Sequence, residues 1–212
     1  MEQKQAIKQS SEDVKSAPEK GIKASPEAFP PDAALMQRIV ENDNQAFSEL
    51  VSRYSRKLFA TCFRMLGQYN EAEEAVQESF LKIWNYADKW DADKAGVSTW
   101  IYTITTNTCR DALRKRKAVF VEREDGYIEH QETDQPNGQN AMEQKQQADL
   151  VKEAIDKLPE RQKQALILSY YDGLSHKEIG EIMDATAKSI EGLVARARND
   201  LKESLAFMQE VL

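Results

Sequence analysis

The sequence predicts an all-α protein of two small helical domains joined by a flexible acidic linker, and three observations lead to this prediction. Glycine and proline are sparse, at 8 and 6 of 212 residues, and charged residues make up 31% of the chain. This composition is closer to that of exposed helices than to that of a turn-rich β sandwich. Apolar residues recur three or four positions apart over two separate stretches, which is the spacing of amphipathic helices. A polar stretch without this periodicity lies between them.

The first helical block covers residues 32–117. Its apolar positions over 35–65 predict a pair of amphipathic helices that is interrupted at 42–44. A third helix is predicted to begin at Asn70, because three glutamates in its first turn suit the positive end of the helix dipole. Glu73 then stands at the position of a capping box. After a polar loop, one more helix completes the block.

The second helical block covers residues 151–212 and predicts a helix-turn-helix. Pro159 is expected at the first position of a helix, where a missing N–H costs nothing. Gly173 is expected to end that helix in the left-handed conformation. Ser175 and Glu178 form the S-x-x-E pattern of a capping box for a short helix, and a longer helix follows after a turn. A short helix, a tight turn and a longer helix are the parts of a DNA-binding motif.

The net charge of −7 is unevenly distributed along the chain. Residues 118–150 hold 2 basic and 8 acidic side chains, whereas residues 32–117 hold 13 basic and 12 acidic ones. The acidic segment is therefore predicted to be the linker, and the acidity of the whole chain does not argue against a nucleic-acid partner. Residues 1–31 hold almost no large apolar side chain and are predicted to be a disordered tail.

The sequence contains no motif typical of an enzyme, a metal site or a cofactor site. The two cysteines, Cys62 and Cys109, lack partners at metal-ligand spacing, and we expect both to be reduced thiols within helices. The histidines His130 and His176 are far apart, and there is no P-loop or G-x-G-x-x-G motif. No apolar stretch approaches the roughly 18 residues of a membrane span. We therefore predict a cytoplasmic protein that is not an enzyme and needs no cofactor.

The last helix of the first block, predicted over 99–117, carries a basic face. Its cations offer contacts to phosphates, while Trp90 and Trp100 beside the preceding loop could stack on unpaired bases. The candidate residues on the helix are Thr103, Asn107, Arg110, Arg114, Arg116 and Lys117. The alternative interpretation is a solvated basic helix end, with the tryptophans in the core.

The final helix of the second block presents a polar outward face. In a helix-turn-helix its first residues enter the major groove, so Thr186, Lys188 and Ser189 are candidates for base contacts. Farther along the same helix the candidate contacts to duplex DNA are Gly192, Arg196, Arg198 and Asn199.

Together the two blocks resemble the extracytoplasmic-function sigma factors of bacterial RNA polymerase. The resemblance is carried by EAEEAVQESFLKIW at 71–84, STWIYTI at 98–104 with Asn107, LPER at 158–161, and GLS at 173–175. Each string alone is weak, but their order and spacing together are specific. The resemblance covers about residues 32–117 and 150–205.

The resemblance implies a role for each block. The first block would be the sigma region-two domain, which opens the minus-ten element and captures a flipped base near Trp100, Tyr102 and Asn107. The contacts to core polymerase would come from the third helix, through Glu74, Gln77, Glu78 and Lys82. The second block would be the region-four domain, which reads the minus-thirty-five element as duplex. The implied partners are core RNA polymerase, promoter DNA and an anti-sigma factor.

Two other functions fit parts of the sequence. A sigma mimic would use the same helical surfaces to titrate an anti-sigma factor without reading DNA, which suits the acidic total and Glu191. Its affinity for core polymerase would distinguish it from a sigma factor. A simple helix-turn-helix repressor would leave the first block without a role, and an enzyme fits the sequence least.

Overall fold

The computed structural model describes residues 31–122 and 150–211, and within them the side chains of all but 119–122 and 207–211. Every regular element in these two ranges is helical, which confirms the all-α prediction. The first block consists of α1 (Asp32–Val40), α2 (Asn44–Leu66), α3 (Tyr69–Asn85), a short 3-10 turn (Ala87–Lys89) and α4 (Val97–Glu122). The second consists of the helical residues 150–156 (α5), α6 (Glu160–Tyr170), α7 (His176–Met183) and α8 (Ala187–Val211).

The junction between α1 and α2 lies where the sequence predicts it. The Asp43 carboxylate accepts hydrogen bonds from the backbone N–H groups of Gln45 (2.8 Å) and Ala46 (3.1 Å), so that α2 begins with a side-chain cap. These bonds and the neighbouring Arg38 hold the pKa of Asp43 below its usual value. The helix ends at Leu66, and Gly67 after it has a φ of 78°, the left-handed conformation that glycine adopts without strain.

The predicted start of α3 is wrong in its detail. The helix begins at Tyr69 rather than at Asn70, and the residue before it, Gln68, makes no side-chain cap. Glu73 therefore does not take part in a capping box. Glu71 in the first turn is instead 3.2 Å from the Arg116 guanidinium of α4, a contact that local sequence spacing does not reveal.

The helix-turn-helix of the second block forms as predicted, with one shift. Pro159 is the residue before α6 rather than its first residue. Gly173 is left-handed, with a φ of 69°. The Ser175 hydroxyl accepts from the Glu178 N–H (3.3 Å) and the Glu178 carboxylate accepts from the Ser175 N–H (2.8 Å), which confirms the capping box. A sharp turn at Asp184, with a φ of 49°, then leads into α8.

The described parts of the two blocks, residues 31–122 and 150–211, pack against each other within one compact unit. Helix α4 contacts α7, and α2 contacts α6. The sequence did not predict this contact, because it arises from residues more than 40 positions apart. The predicted linker falls largely outside the described residues, as does the predicted tail, so both boundaries stay predictions. Among the described helices, none combines the length and apolarity that a bilayer span requires.

Candidate nucleic-acid interface

The two tryptophans near the start of α4 are half-buried. The Trp90 indole N–H donates to the Ala95 carbonyl oxygen at 3.0 Å and closes the loop that precedes α4. Trp90 and Trp100 both pack against the apolar core of the molecule with part of each ring accessible. Both residues are thus partly in the core, as the alternative interpretation expects, and partly accessible, and their stacking on bases stays a prediction.

The polar face of α4 is partly occupied by contacts within the helix. The Arg110 guanidinium donates to the Asn107 side-chain oxygen (2.5 Å), and Arg114 pairs with Asp111 (2.5 Å). The Thr103 hydroxyl donates to the Thr99 carbonyl oxygen (2.8 Å). Asn107 and Arg110 are half-buried, and the hydrogen bond between them fixes the orientation of both side chains. Arg114 is exposed, so a phosphate can reach it.

The end of the basic run contacts other helices. The Arg116 guanidinium donates to the Leu66 carbonyl oxygen and to the Glu71 carboxylate, both at 3.2 Å, so it joins α4 to the end of α2 and the start of α3. The Lys117 ammonium lies 3.6 Å from the Glu160 carboxylate of α6. Arg116 therefore has a clear structural role, and Lys117 bridges the two blocks.

Tyr102 occupies an unexpected position. Its side chain is 3% exposed and shares an apolar cluster with Ile179 and Ile182 of α7. The Asp172 carboxylate lies near the Tyr102 hydroxyl and accepts from the Thr61 hydroxyl of α2 at 2.9 and 3.0 Å. Burial and the negative charge of Asp172 raise the pKa of Tyr102. The remaining minus-ten candidates are at least partly accessible, but Tyr102 is buried among side chains of both blocks.

The candidate polymerase contacts share one face of α3. Glu74, Gln77 and Glu78 are exposed. The half-buried Lys82 pairs with the Glu78 carboxylate (2.7 Å) and donates to the Thr108 hydroxyl of α4 (3.0 Å). Leu81, beside these residues, is 62% exposed.

The outward face of α8 is accessible in the packed molecule. Its predicted duplex contacts are all exposed except the half-buried glycine, and they are Thr186, Lys188, Ser189, Gly192, Arg196, Arg198 and Asn199. The Thr186 hydroxyl accepts from the Ser189 N–H at 3.1 Å and so caps the first turn of α8. The candidate contacts on this face are therefore accessible to solvent in the packed molecule.

Comparisons with known proteins decide the family. The chain matches the family model for Sigma-70 region 2 over residues 50–119 and the model for Sigma-70 region 4 over residues 148–201. It is 30% identical over 183 residues to the ECF RNA polymerase sigma-E factor of Haemophilus influenzae, covering 82% of this chain and 95% of that protein. The chain belongs to the extracytoplasmic-function sigma factors. It is also 29% identical over 177 residues to the ECF RNA polymerase sigma factor SigW of Bacillus subtilis, covering 80% of this chain and 94% of SigW.

A solved structure supports the fold assignment of this sigma factor. The sigma factor RpoE of Bartonella quintana, in a co-crystal with the anti-sigma factor NepR, matches 76% of this chain and 96% of that one with a TM-score of 0.61. At 24% sequence identity this similarity concerns the fold. Family membership establishes the activity: the protein directs promoter-specific transcription initiation, with core RNA polymerase and promoter DNA as its partners.

Some important residues of this sigma factor were not found from the sequence. Gly180 lies in α7, and a Cβ there would be 2.6 Å from the Ala185 carbonyl oxygen. A glycine inside a short helix was the available signal. Leu81 of α3 is 62% exposed, and the signal for it was an apolar residue on the same helical face as Glu74 and Glu78. No sequence signal identifies Thr61 and Asp172, because their contact depends on how the two blocks pack.

Proposed function

We propose that the first block opens the minus-ten element and that the second reads the minus-thirty-five element as duplex. The single observation that carries this proposal is the pairing of a region-two match with a region-four match in one chain. The protein then acts as a DNA-binding regulator rather than as an enzyme. The geometry of α4 and α8 supports a different task for each helix.

The surface of α4 suits an unpaired strand. A melted strand needs aromatic surfaces, an amide near a base pocket and cations for its phosphates. Trp90 and Trp100 supply the stacking surfaces, and Asn107 supplies an amide that Arg110 orients. Arg114 provides an exposed cation for the backbone of the strand.

The surface of α8 suits duplex DNA. The turn between α7 and α8 sets the start of α8 apart from the rest of the block, and its first residues are exposed. Lys188 and Ser189 are placed to contact base edges, while Arg196 and Arg198 are placed to contact phosphates.

Core polymerase is proposed to bind the exposed face of α3 through Glu74, Gln77, Glu78 and Lys82. Leu81 would supply an apolar anchor among these polar groups. The α3 face is clear of the contact between the two blocks, so polymerase can reach it in the packed molecule.

A run-off transcription assay tests the proposed function. Core polymerase is supplied with a library of genomic fragments, with and without the purified protein. We expect discrete products that depend on the protein. The absence of protein-dependent products from all fragments would overturn the proposal. A sigma mimic would also fail to bind core polymerase, so a parallel measurement of that affinity separates the two functions.

An anti-sigma factor is proposed as a further partner, because the Bartonella relative was crystallised with one. A groove of about 680 Å³ with an apolar lining supports this partner, and its walls include Phe59, Phe63, Val151, Ile155 and Tyr171. We expect Val151→Asp, a change at an exposed position, to weaken inhibition of run-off transcription by the cognate anti-sigma factor. Unchanged inhibition would exclude this groove as the contact.

A further inference from the structure

Glu191 is an acidic side chain on the helix that otherwise carries candidate contacts to duplex DNA. It lies at the start of the second turn of α8, three residues after Lys188 and next to Gly192. Its side chain is exposed, and in the part of the chain that the structure describes it has no hydrogen-bond or ion-pair partner. The carboxylate is therefore hydrated in the free protein, and no contact within the fold accounts for its charge.

The surface beside Glu191 combines small side chains with cations. Gly192 has no side chain, and the exposed Ala195, one turn farther along α8, ends in a methyl group. The Arg196 guanidinium lies back along the helix over Gly192, because a Cβ built there would be 3.8 Å from it. The exposed Lys188 adds a second cation. Small side chains let α8 approach base edges closely, and the cations offset the repulsion between Glu191 and the DNA backbone.

A carboxylate has few partners on duplex DNA. It only accepts hydrogen bonds, and phosphates offer no donor and carry the same charge. In the major groove the donors are the N4 amino group of cytosine and the N6 amino group of adenine, whereas guanine and thymine present no donor. Adenine also places its N7 acceptor beside N6, which suits an amide and repels a carboxylate. Cytosine is therefore the base that best fits Glu191.

Such a contact discriminates between bases more by rejection than by attraction. A carboxylate that leaves water without gaining a donor loses its hydration without compensation. Opposite guanine or thymine it would also face a carbonyl oxygen, and the two acceptors repel each other. Opposite cytosine it regains one hydrogen bond. A single exposed carboxylate among cations thus selects one base at one position and adds little affinity.

We propose that Glu191 is a specificity-determining residue of α8, and that its carboxylate accepts a hydrogen bond from the N4 amino group of one cytosine in the minus-thirty-five duplex. This inference rests on the proposed function of α8 in reading that duplex. Duplexes with another base at this position are bound more weakly. An acidic side chain that disfavours DNA in general thereby restricts the protein to a smaller set of promoters.

The test measures base preference with the full-length protein bound to core polymerase. The template is a promoter that supports run-off transcription, and its minus-thirty-five region is randomised. Bound fragments are recovered and sequenced, and affinities are then measured for the selected duplex and for its single-base changes at the selected cytosine. We expect the parent to select cytosine at one position and to bind the changed duplexes about tenfold more weakly.

Two variants at position 191 are compared with one control. Glu191→Ala removes the carboxylate and should abolish the cytosine preference at that position while the other positions keep theirs. Glu191→Gln supplies an amide and should shift the preference to adenine, which an amide binds through N6 and N7. The matched control is Glu203→Gln, which removes the same charge from an exposed position of α8 outside the candidate contacts. It should keep the cytosine preference of the parent.

Three results would overturn the proposal. Base preferences that stay unchanged in Glu191→Ala, or an equal gain in affinity for every sequence, would show that Glu191 does not read a base. A parent preference for a base other than cytosine at the position that Glu191→Ala alters would exclude cytosine as the partner. A parent that selects no base at any position of this region would overturn the duplex-reading role of α8 as well. A missing run-off product would instead refute the proposed function before any selection is made.

Discussion

The two helices that carry the candidate DNA contacts, α4 and α8, are placed differently in the packed molecule. Helix α4 is covered by α2 and α3 on one side and by α7 on another, and several of its polar side chains contact other parts of the protein. The outward face of α8 is exposed along the whole candidate surface. The candidate contacts of α8 are therefore accessible in the packed molecule, whereas those of α4 are only partly accessible.

The largest expected effect distinguishes the roles of the two helices. Asn107→Ala should lower promoter opening by about 10- to 100-fold, because one side-chain contact to a base contributes about 1–3 kcal/mol. Affinity for core polymerase should stay near that of the parent. Fluorescence of a promoter labelled in the minus-ten element measures opening, and titration with labelled core measures affinity.

Gln45→Ala, at an exposed position of α2 outside every candidate contact, is the matched control for that change. On a template whose minus-ten element is already single-stranded, Asn107→Ala should still be defective and Gln45→Ala should match the parent. Equal losses of opening and core binding in the Asn107 variant would contradict the role assigned to α4.

A pair of glycine substitutions tests whether α8 depends on the turn before it. Gly180→Ala places a Cβ 2.6 Å from the Ala185 carbonyl oxygen, and such overpacking costs about 1–3 kcal/mol of unfolding free energy. Gly192→Ala meets only the Arg196 guanidinium at 3.8 Å and should stabilise the helix by up to about 1 kcal/mol. Urea unfolding measures both. Equal urea midpoints for the two variants would contradict the requirement for a glycine at position 180.

Alanine substitutions of two arginines of α4 should change different properties of the protein. Arg116→Ala should lower the free energy of unfolding by about 1 kcal/mol, since it removes hydrogen bonds to Leu66 and Glu71 that are partly exposed to water. Arg114→Ala should leave stability unchanged and reduce the slope of log affinity against log salt for single-stranded DNA by about 0.7. An unchanged salt slope in the Arg114→Ala variant would contradict a contact between Arg114 and a phosphate.

The smallest effect concerns the cap of α7. Ser175→Ala should cost about 0.5–1 kcal/mol of unfolding free energy at neutral pH. Hydrogen bonds from the Ser175 side chain and backbone lower the pKa of Glu178 below its usual 4.5. Because this pKa is lower in the folded state than in the unfolded state, the charged Glu178 stabilises the folded protein at any pH above the unfolded pKa. That contribution is lost as the pH falls through the folded pKa.

The difference in stability between the parent and Ser175→Ala should therefore shrink between about pH 5 and pH 3. Urea unfolding at several pH values measures it. A difference that stayed constant with pH would show that Glu178 does not contribute through its charge.

The sequence by itself determined what depends on local chemistry. The capping box at Ser175 and the left-handed Gly173 follow from short-range hydrogen bonds and backbone sterics, so the helix-turn-helix was predictable. The outward face of α8 followed from helical periodicity. The predicted start of α3 was wrong by one residue, because no side chain caps this helix. Glu71 in its first turn instead forms an ion pair with Arg116 of α4.

Only the tertiary structure decided which polar residues of α4 are accessible. The sequence placed Arg114 and Arg116 in one basic run, yet the fold leaves one exposed and ties the other to α2 and α3. It also placed Tyr102 on a candidate DNA surface, whereas the fold buries this side chain among residues of both blocks. The accessibility of these side chains depends on the desolvation and pairing of groups from distant parts of the chain. Helical periodicity reports only which residues share a face of one helix, so it cannot predict this.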